Sequence, residues 1–86
     1  MTLTREQSRA ARALLGWTQE QLEAATEAAG AKVVKKTIAD FESGKRSPYA
    51  RTLSDIRRVL EGAGVIFIEE NGEGPGVRLR KDASAS

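Results

Sequence analysis

Two short segments with helical periodicity lie close together within residues 18–48, TQEQLEAATEAAGAKVVKKTIADFESGKRSP. The residues of the second segment divide between two faces of a helical wheel with 3.6 residues per turn. One face carries Val34, Ile38 and Phe41, and the opposite face carries Lys36, Ala39, Asp40 and Ser43. We therefore expect a helix pair whose second member buries an apolar face and presents a polar face to solvent.

Two capping boxes mark helix starts, because in each a Thr is followed three residues later by a Gln. Thr4 with Gln7 predicts a first helix over residues 5–15, which ends at Gly16. Thr18 with Gln21 predicts a second helix that ends at about residue 29. The third helix should run from residue 34 or 35 to residue 43, before a glycine that suits a left-handed helix exit.

The apolar residues of the first two helices predict their buried faces. In the first helix the inward residues should be Ala10, Ala11, Leu14 and Leu15. In the second helix they should be Leu22, Ala25 and Ala29. Both helices would then pack on the apolar face of the third.

A fourth helix and a strand pair complete the predicted fold. Thr52 resembles a further cap, and apolar residues recur at helical spacing to about residue 61: Leu53, Ile56, Val59 and Leu60. Arg57 and Arg58 should lie on its outer side. Residues 65–68 (VIFI) and 77–80 (VRLR) read as two short strands around a glycine-rich loop. The fold class is therefore mainly α, with four helices and a short C-terminal β-hairpin or strand pair.

Composition excludes several classes of function. The chain has 86 residues, which allow one small domain, and it contains neither cysteine nor histidine. We therefore expect no enzyme, no metal site and no cofactor, because the usual nucleophile, base and zinc ligands are absent. No segment has the length and apolar character of a membrane helix or a signal peptide, so we expect a cytoplasmic protein.

Charge is unevenly distributed along the chain. Residues 32–58 carry eight cations against three acids, a net charge of +5, whereas the segments on either side are acidic. A basic region of this kind suits contact with phosphates. The alternative is a solvated surface of mixed charge.

The motifs of residues 4–64 resemble the helix-turn-helix of the Cro/C1-type (XRE) family of DNA-binding regulators. The segments that carry the resemblance are GWTQEQL at residues 16–22, TI at residues 37–38 and FESG at residues 41–44, followed by KRSP at residues 45–48. The turn after Gly30 is longer than is usual in the family, and Val34 stands where a capping Ser or Thr is common. The resemblance implies a lambda-repressor-like fold and an ion pair between Arg12 and Glu42.

Docking of the third helix in a major groove, as the resemblance implies, assigns the DNA contacts. Lys35, Lys36 and Thr37 would reach base edges or phosphates, and Asp40 would accept from cytosine N4. The alternative for Lys36 and Asp40 is an ion pair with each other. The remaining predicted contacts, mainly to the sugar-phosphate backbone, are Gln19, Ser43, Lys45 and Arg46.

The strand pair offers a surface for dimerisation, because a lone two-stranded hairpin is marginally stable in water. We expect residues 65–81 to dimerise the chain, residues 1–64 to form the DNA-binding domain and residues 82–86 to be a disordered tail. The dimerising residues would be Val65, Ile66, Phe67, Ile68, Val77 and Leu79. The alternative is that the strands pack on the chain's own helices.

Together these features predict a sequence-specific transcriptional regulator that binds a double-stranded operator as a homodimer, at the bacterial nucleoid. One alternative is an antitoxin-type protein, which binds its operator and also neutralises a protein partner. A second alternative is a protein-interaction module that kept the fold and lost DNA binding.

Overall fold

A computed structural model describes residues 3–81, so the predicted tail at residues 82–86 lies outside the described part of the chain. Within residues 3–81 the chain forms four helices and one antiparallel strand pair, as the sequence predicts. The helices are α1 (Arg5–Leu15), α2 (Gln19–Ala28), α3 (Lys35–Glu42) and α4 (Ala50–Gly62), and the strands are β1 (Val65–Ile68) and β2 (Gly76–Leu79). None of the helices in this range is long and apolar enough to cross a membrane.

Both predicted capping boxes are present, and they fix the starts of α1 and α2. The Gln7 N–H donates to Thr4 Oγ1 at 3.0 Å, and Gln7 Oε1 accepts from the Thr4 N–H at 3.0 Å. Thr18 and Gln21 repeat this exchange at 3.1 and 2.7 Å. Gly16 ends α1 in the left-handed conformation, with φ 70°. The first helix pair therefore begins and ends where the sequence predicts.

The start of α3 corrects the prediction for Val34. Val34 is the N-cap of α3 and is 42% exposed, whereas its neighbour Val33 is only 6% exposed and belongs to the core. Thr26 explains why Val33 is buried in place of Val34, because Thr26 Oγ1 accepts a hydrogen bond from the Val33 N–H at 2.9 Å. This bond holds Val33 against α2 and turns the next side chain outward.

The buried faces of α1 and α2 also differ from the prediction. Leu14 is 41% exposed, and Ala10 and Ala29 are exposed too. Polar residues take the inward positions: Gln7, Ser8 and Thr26. Each of these polar side chains forms hydrogen bonds, so its burial leaves no group without a partner.

The fourth helix begins earlier than predicted. Its N-cap is Tyr49, so Thr52 lies inside the first turn instead of capping it. The chain leaves Pro48 in an extended conformation, and the first turn closes when the Leu53 N–H donates to Tyr49 O at 3.1 Å. The predicted inward residues of α4 are buried, with Val59 packed at the edge of the core: Leu53, Ile56 and Leu60.

The strand pair packs on the helices and shares their core. Val65 pairs with Leu79 and Phe67 with Val77, and the side chains of Val65 and Phe67 are buried in the same cluster as Ile38, Ile56 and Leu60. Two further contacts join the pair to the helices. Gln7 Nε2 donates to Gly76 O at 3.1 Å, and Arg57 lies over the Phe67 ring at 5.2 Å. Arg57 therefore packs against β1 instead of pointing into solvent as predicted.

Candidate nucleic-acid interface

Glu42, at the end of α3, joins the first three helices through its carboxylate. Its side chain is 2% exposed. Arg12 Nη2 on α1 lies 2.6 Å from Oε1, and Arg12 Nε lies 3.0 Å from Oε2. Ser8 Oγ donates to Oε2 at 2.6 Å, and Gln19 Nε2 on α2 donates to Oε1 at 3.1 Å. The Arg12–Glu42 ion pair that the resemblance implies is thus present, as part of a four-residue cluster.

The electrostatics of this cluster favour its ionised form. Burial raises the pKa of Glu42, but the hydrogen bonds from Arg12, Ser8 and Gln19 outweigh burial and hold that pKa below its ordinary value of 4.5. The hydrogen bond to Glu42 raises the pKa of Arg12, against the opposing effect of its own desolvation. Both groups therefore stay charged at neutral pH, and a charged hydrogen-bond network fixes α3 against α1 and α2.

The outward face of α3 carries the predicted base-reading residues. Lys36 is exposed, its side chain at 79%, and Thr37 is half-buried beside it. Lys36 Nζ lies 3.4 Å from Asp40 Oδ2, so the two side chains form the ion pair considered as the alternative. Breaking this pair costs little free energy, since an exposed ion pair contributes about 0.2–1 kcal/mol. Lys36 therefore remains available to a base or a phosphate.

Lys35 forms an ion pair that the sequence analysis missed. Its Nζ lies 2.8 Å from Glu20 Oε2 in the first turn of α2. The hydrogen bond from Lys35 lowers the pKa of Glu20, so this carboxylate is ionised at neutral pH. Glu20 thus places a negative charge at the helix start where a phosphate is expected. The signal available in the sequence was the acidic residue Glu20, which stands next to Gln19 in TQEQ at the predicted start of α2.

Gln19, a predicted phosphate contact, forms a hydrogen bond within the chain. It lies in the first turn of α2, but its side-chain amide donates to Glu42 and is half-buried. The side chain therefore positions α2 on α3. The backbone N–H groups of that turn are the groups of this region that can still bind an anion.

The loop after α3 folds back on the helix and presents the predicted backbone contacts. The N–H groups of Lys45 and Arg46 both donate to Asp40 O, at 2.9 and 3.1 Å. Gly44 has φ 83°, a conformation that favours glycine. The side chains of Ser43, Lys45 and Arg46 are exposed. The loop thus holds two cations beside the exit of α3.

Three arginines of α1 lie along the same side of the molecule, and two of them were missed in the sequence analysis. Arg5, Arg9 and Arg12 have i, i+4, i+7 spacing, which places them on one face of the helix. Arg9 Nη1 donates to Glu42 O at 2.8 Å. The Arg5 guanidinium covers Gly44 so closely that a Cβ on Gly44 would overlap it. The spacing was the signal, but its direction depends on how α1 packs.

The predicted dimerisation residues fall into two groups. Val65 and Phe67 are 2% and 8% exposed within the chain's own core, so their side chains are not available to a second copy. Four are half-buried: Ile66, Ile68, Val77 and Leu79. The strands thus pack on the chain's own helices, as the alternative reading expected. Their outer edges are a separate feature, because the hydrogen bonds between the strands use only the inward backbone groups.

A groove of about 600 Å³ lies away from these cations, between the C-terminal end of α2 and α4. It is lined by Trp17, Val59 and Arg58 and by small residues: Ala25, Ala28, Ala29, Gly30, Ala31, Gly62 and Ala63. Arg58 is bound to Asp55 at 3.1 Å.

Comparison with known proteins adds no relative. The chain matches no protein-family model and no curated protein sequence. Function must therefore be inferred from the geometry of the helix pair, the charges around it and the resemblance of its motifs.

Proposed function

We propose that this protein is a sequence-specific DNA-binding transcriptional regulator that acts as a homodimer. In this proposal α3 docks in the major groove, where Lys36, Thr37 and Asp40 face the base edges. The first turn of α2 and the loop at residues 45–48 lie against the sugar-phosphate backbone on either side. The protein would act in the cytoplasm, at the nucleoid.

The observation that carries the proposal is the contrast between the two faces of α3. Its inner face is fixed by Ile38, Phe41 and Glu42, which are all buried. Its outer face is rich in polar side chains and is flanked by the cations of the exit loop. A recognition helix needs both properties, because a rigid back is what lets a small set of outward side chains discriminate between bases.

Charge supports a phosphate-facing role for this side of the molecule. The cations at positions 36, 45 and 46 lie on α3 and its exit, and the acid that pairs with Lys36 is Asp40, whose side chain is 18% exposed. The acidic residues Glu69, Glu70 and Glu73 lie instead around the strand pair. A basic face on an otherwise balanced chain favours an oriented approach to DNA.

The strand pair supports the dimer. The Arg80 N–H donates to Gly64 O at 2.7 Å, and the alternation of an antiparallel pair then turns the backbone groups of Val77 and Leu79 toward the outer edge of β2. The corresponding edge of β1 is covered, since Val65 and Phe67 are buried, but within residues 3–81 the outer edge of β2 forms no hydrogen bonds to another backbone segment. An open edge invites strand addition by a second copy.

The size of the domain also suits a dimer on DNA. Its two longer extents are 33 and 30 Å, so two copies that contact each other along either of these axes would have centres separated by a distance close to one turn of B-DNA, about 34 Å. Two recognition helices would then enter successive major grooves on one face of the duplex. Occlusion of a promoter is the simplest way for such a small dimer to repress transcription.

The test is a titration of the protein against the DNA upstream of its own gene and against a scrambled duplex, at two salt concentrations. Base reading should give a preference of at least about 10³ for the right site, whereas phosphate contacts alone bind both duplexes and weaken steeply with salt. Lys36→Ala should reduce the preference. Arg58→Ala removes one exposed charge on α4, at the groove between α2 and α4, and is the matched control.

The same titration separates the alternatives. Specific binding together with co-purification of a second small protein would favour an antitoxin-type protein. Equal and weak binding to every duplex, unaffected by Lys36→Ala, would favour a protein-interaction module and would contradict the proposal.

A further inference from the structure

The arginine ridge of α1, defined as Arg5 and Arg9, faces the exit of α3 and has no assigned role. Arg12 continues the ridge, but its guanidinium is committed to Glu42 and to Trp17 O, at 2.6 and 2.9 Å. The side chains of Arg5 and Arg9 are 47% and 50% exposed, although both touch α3 or its exit. Each of these two side chains therefore contacts α3 or its exit, while about half of its surface is open to solvent.

We infer that Arg5 and Arg9, together with the exit loop of α3, form a second phosphate-binding site that contacts the DNA backbone beyond the recognition helix. This inference rests on the proposed function and extends it to α1. The ligand is the phosphodiester backbone of duplex DNA, contacted without regard to sequence.

Position is the first argument for the site. Arg9 Nη1 donates to the carbonyl of Glu42 at 2.8 Å, which leaves its Nε and Nη2 free of that bond. Arg5 lies over Gly44, directly before Lys45 and Arg46 in the chain. Two cations of α1 thus lie against the exit of α3, next to the loop that carries two further cations, although the two pairs are far apart in sequence.

Charge is the second argument. Within this group the only acid paired with the ridge is Glu6, at 3.1 Å from Arg5 Nε and 4.0 Å from Arg9 Nη2. Four cations against one exposed acid leave a net charge of +3. Glu42 does not reduce it, because its buried carboxylate is already paired with Arg12. An exposed excess of this size attracts a polyanion.

Chemistry is the third argument. Arginine is suited to phosphate because its planar guanidinium presents several donors in a fixed fork. The buried cluster also ties the ridge to the proposed docking surface: Glu42 contacts Arg9 through its carbonyl and Gln19, in the first turn of α2, through its carboxylate. Hydrogen bonds through Glu42 therefore join the ridge to the first turn of α2 and to the end of α3.

Salt dependence of DNA binding tests the site. Each phosphate contact contributes about 0.9 to the slope of log K against log salt concentration. This slope is negative, because binding weakens as salt is added. Arg5→Gln and Arg9→Gln should each reduce the magnitude of the slope by about 0.9 and weaken binding to specific and scrambled duplexes equally. Arg58→Gln is the matched control, because Arg58 is also an exposed arginine bound to an acid on its own helix but lies at the groove of α2 and α4.

A purely structural role for Arg9 is tested separately, because Arg9→Gln removes its bond to Glu42 O. Arg9→Lys keeps the charge and should restore the slope even if its thermal midpoint falls. The inference would be overturned if the slope kept its wild-type value in Arg5→Gln and Arg9→Gln but became smaller in magnitude in Lys45→Gln. The proposed function would then still stand. A wild-type protein that binds no duplex at any salt concentration would overturn both.

Discussion

Replacement of Glu42 by Gln should destabilise the protein more than any surface charge change. The substitution keeps the size of the side chain but removes the charge that accepts from Arg12, Ser8 and Gln19. It also places an amide N–H₂ where one carboxylate oxygen stood, and this group faces other donors. Arg12 would then lose its counter-charge in a site where its side chain is only 17% exposed.

The size of the effect follows from these contacts. Breaking a buried ion pair by removing one partner costs about 3–5 kcal/mol. Two features reduce this value: Arg12 is not fully buried, and its Nη1 keeps the hydrogen bond to Trp17 O at 2.9 Å. We therefore expect a loss of about 2–4 kcal/mol, against a total stability on the order of 5–10 kcal/mol for a domain of this size.

Urea unfolding followed by fluorescence measures this loss, since Trp17 is the only tryptophan and its carbonyl is bound to Arg12. The matched control is Glu61→Gln, because Glu61 is exposed and pairs with Arg57 at 3.1 Å. The control should lose no more than about 1 kcal/mol. If Glu42→Gln unfolds at the same urea concentration as the control, with an unchanged slope, the cluster does not hold the helices together as argued.

Three further perturbations test other parts of the structure. Because the pKa of Glu42 is lowered in the folded state, its stabilisation is present above its ordinary value of 4.5 and is lost as pH falls below it. The stability of the wild type and Glu42→Gln should therefore converge in acid, and a constant difference down to full protonation would refute this. Glu20→Gln frees Lys35 and removes a negative charge from the α2 start, so affinity for DNA should rise about two- to fivefold in a binding titration; unchanged or weaker binding would show that Glu20 does not face DNA. Thr26→Val leaves the buried Val33 N–H without its acceptor and should cost about 1–3 kcal/mol in urea unfolding, whereas a neutral effect would mean that the turn relaxes.

The sequence predicted most of the fold because its local signals agree with the tertiary structure. The capping pairs Thr4–Gln7 and Thr18–Gln21 involve residues three apart, so their hydrogen bonds are encoded locally. The change from helical to alternating periodicity after Gly64 likewise marks the strand pair. These signals are sufficient to fix element order and most boundaries.

The misplaced residues have causes that lie far away in the chain. Gln7 is buried because its amide reaches the carbonyl of Gly76, 69 residues away, and no local pattern contains that contact. Val33 is buried instead of Val34 because Thr26 binds its N–H. Tyr49 replaces Thr52 as the start of α4 without any side-chain cap, so the helix start carries no sequence signature.

The sequence predicted the residues of the candidate interface that lie on α3 or on its exit loop. The contribution of α1 was missed, since the direction of Arg5 and Arg9 depends on the packing of α1 against Glu42 and Gly44. The pairing of Lys35 with Glu20 was missed for the same reason, because the two residues lie 15 positions apart on different helices. Long-range packing thus decides which charges of the chain face the same partner.

Selection of duplexes from a random pool, followed by titration of the enriched sequence, tests the central claim most directly, because it does not depend on where an operator lies. We predict one enriched site made of two inverted half-sites about 10 base pairs apart, centre to centre, and a preference that falls in Lys36→Ala but not in Arg58→Ala. A pool that stays random after repeated selection, while the protein remains folded, would contradict sequence-specific recognition by α3.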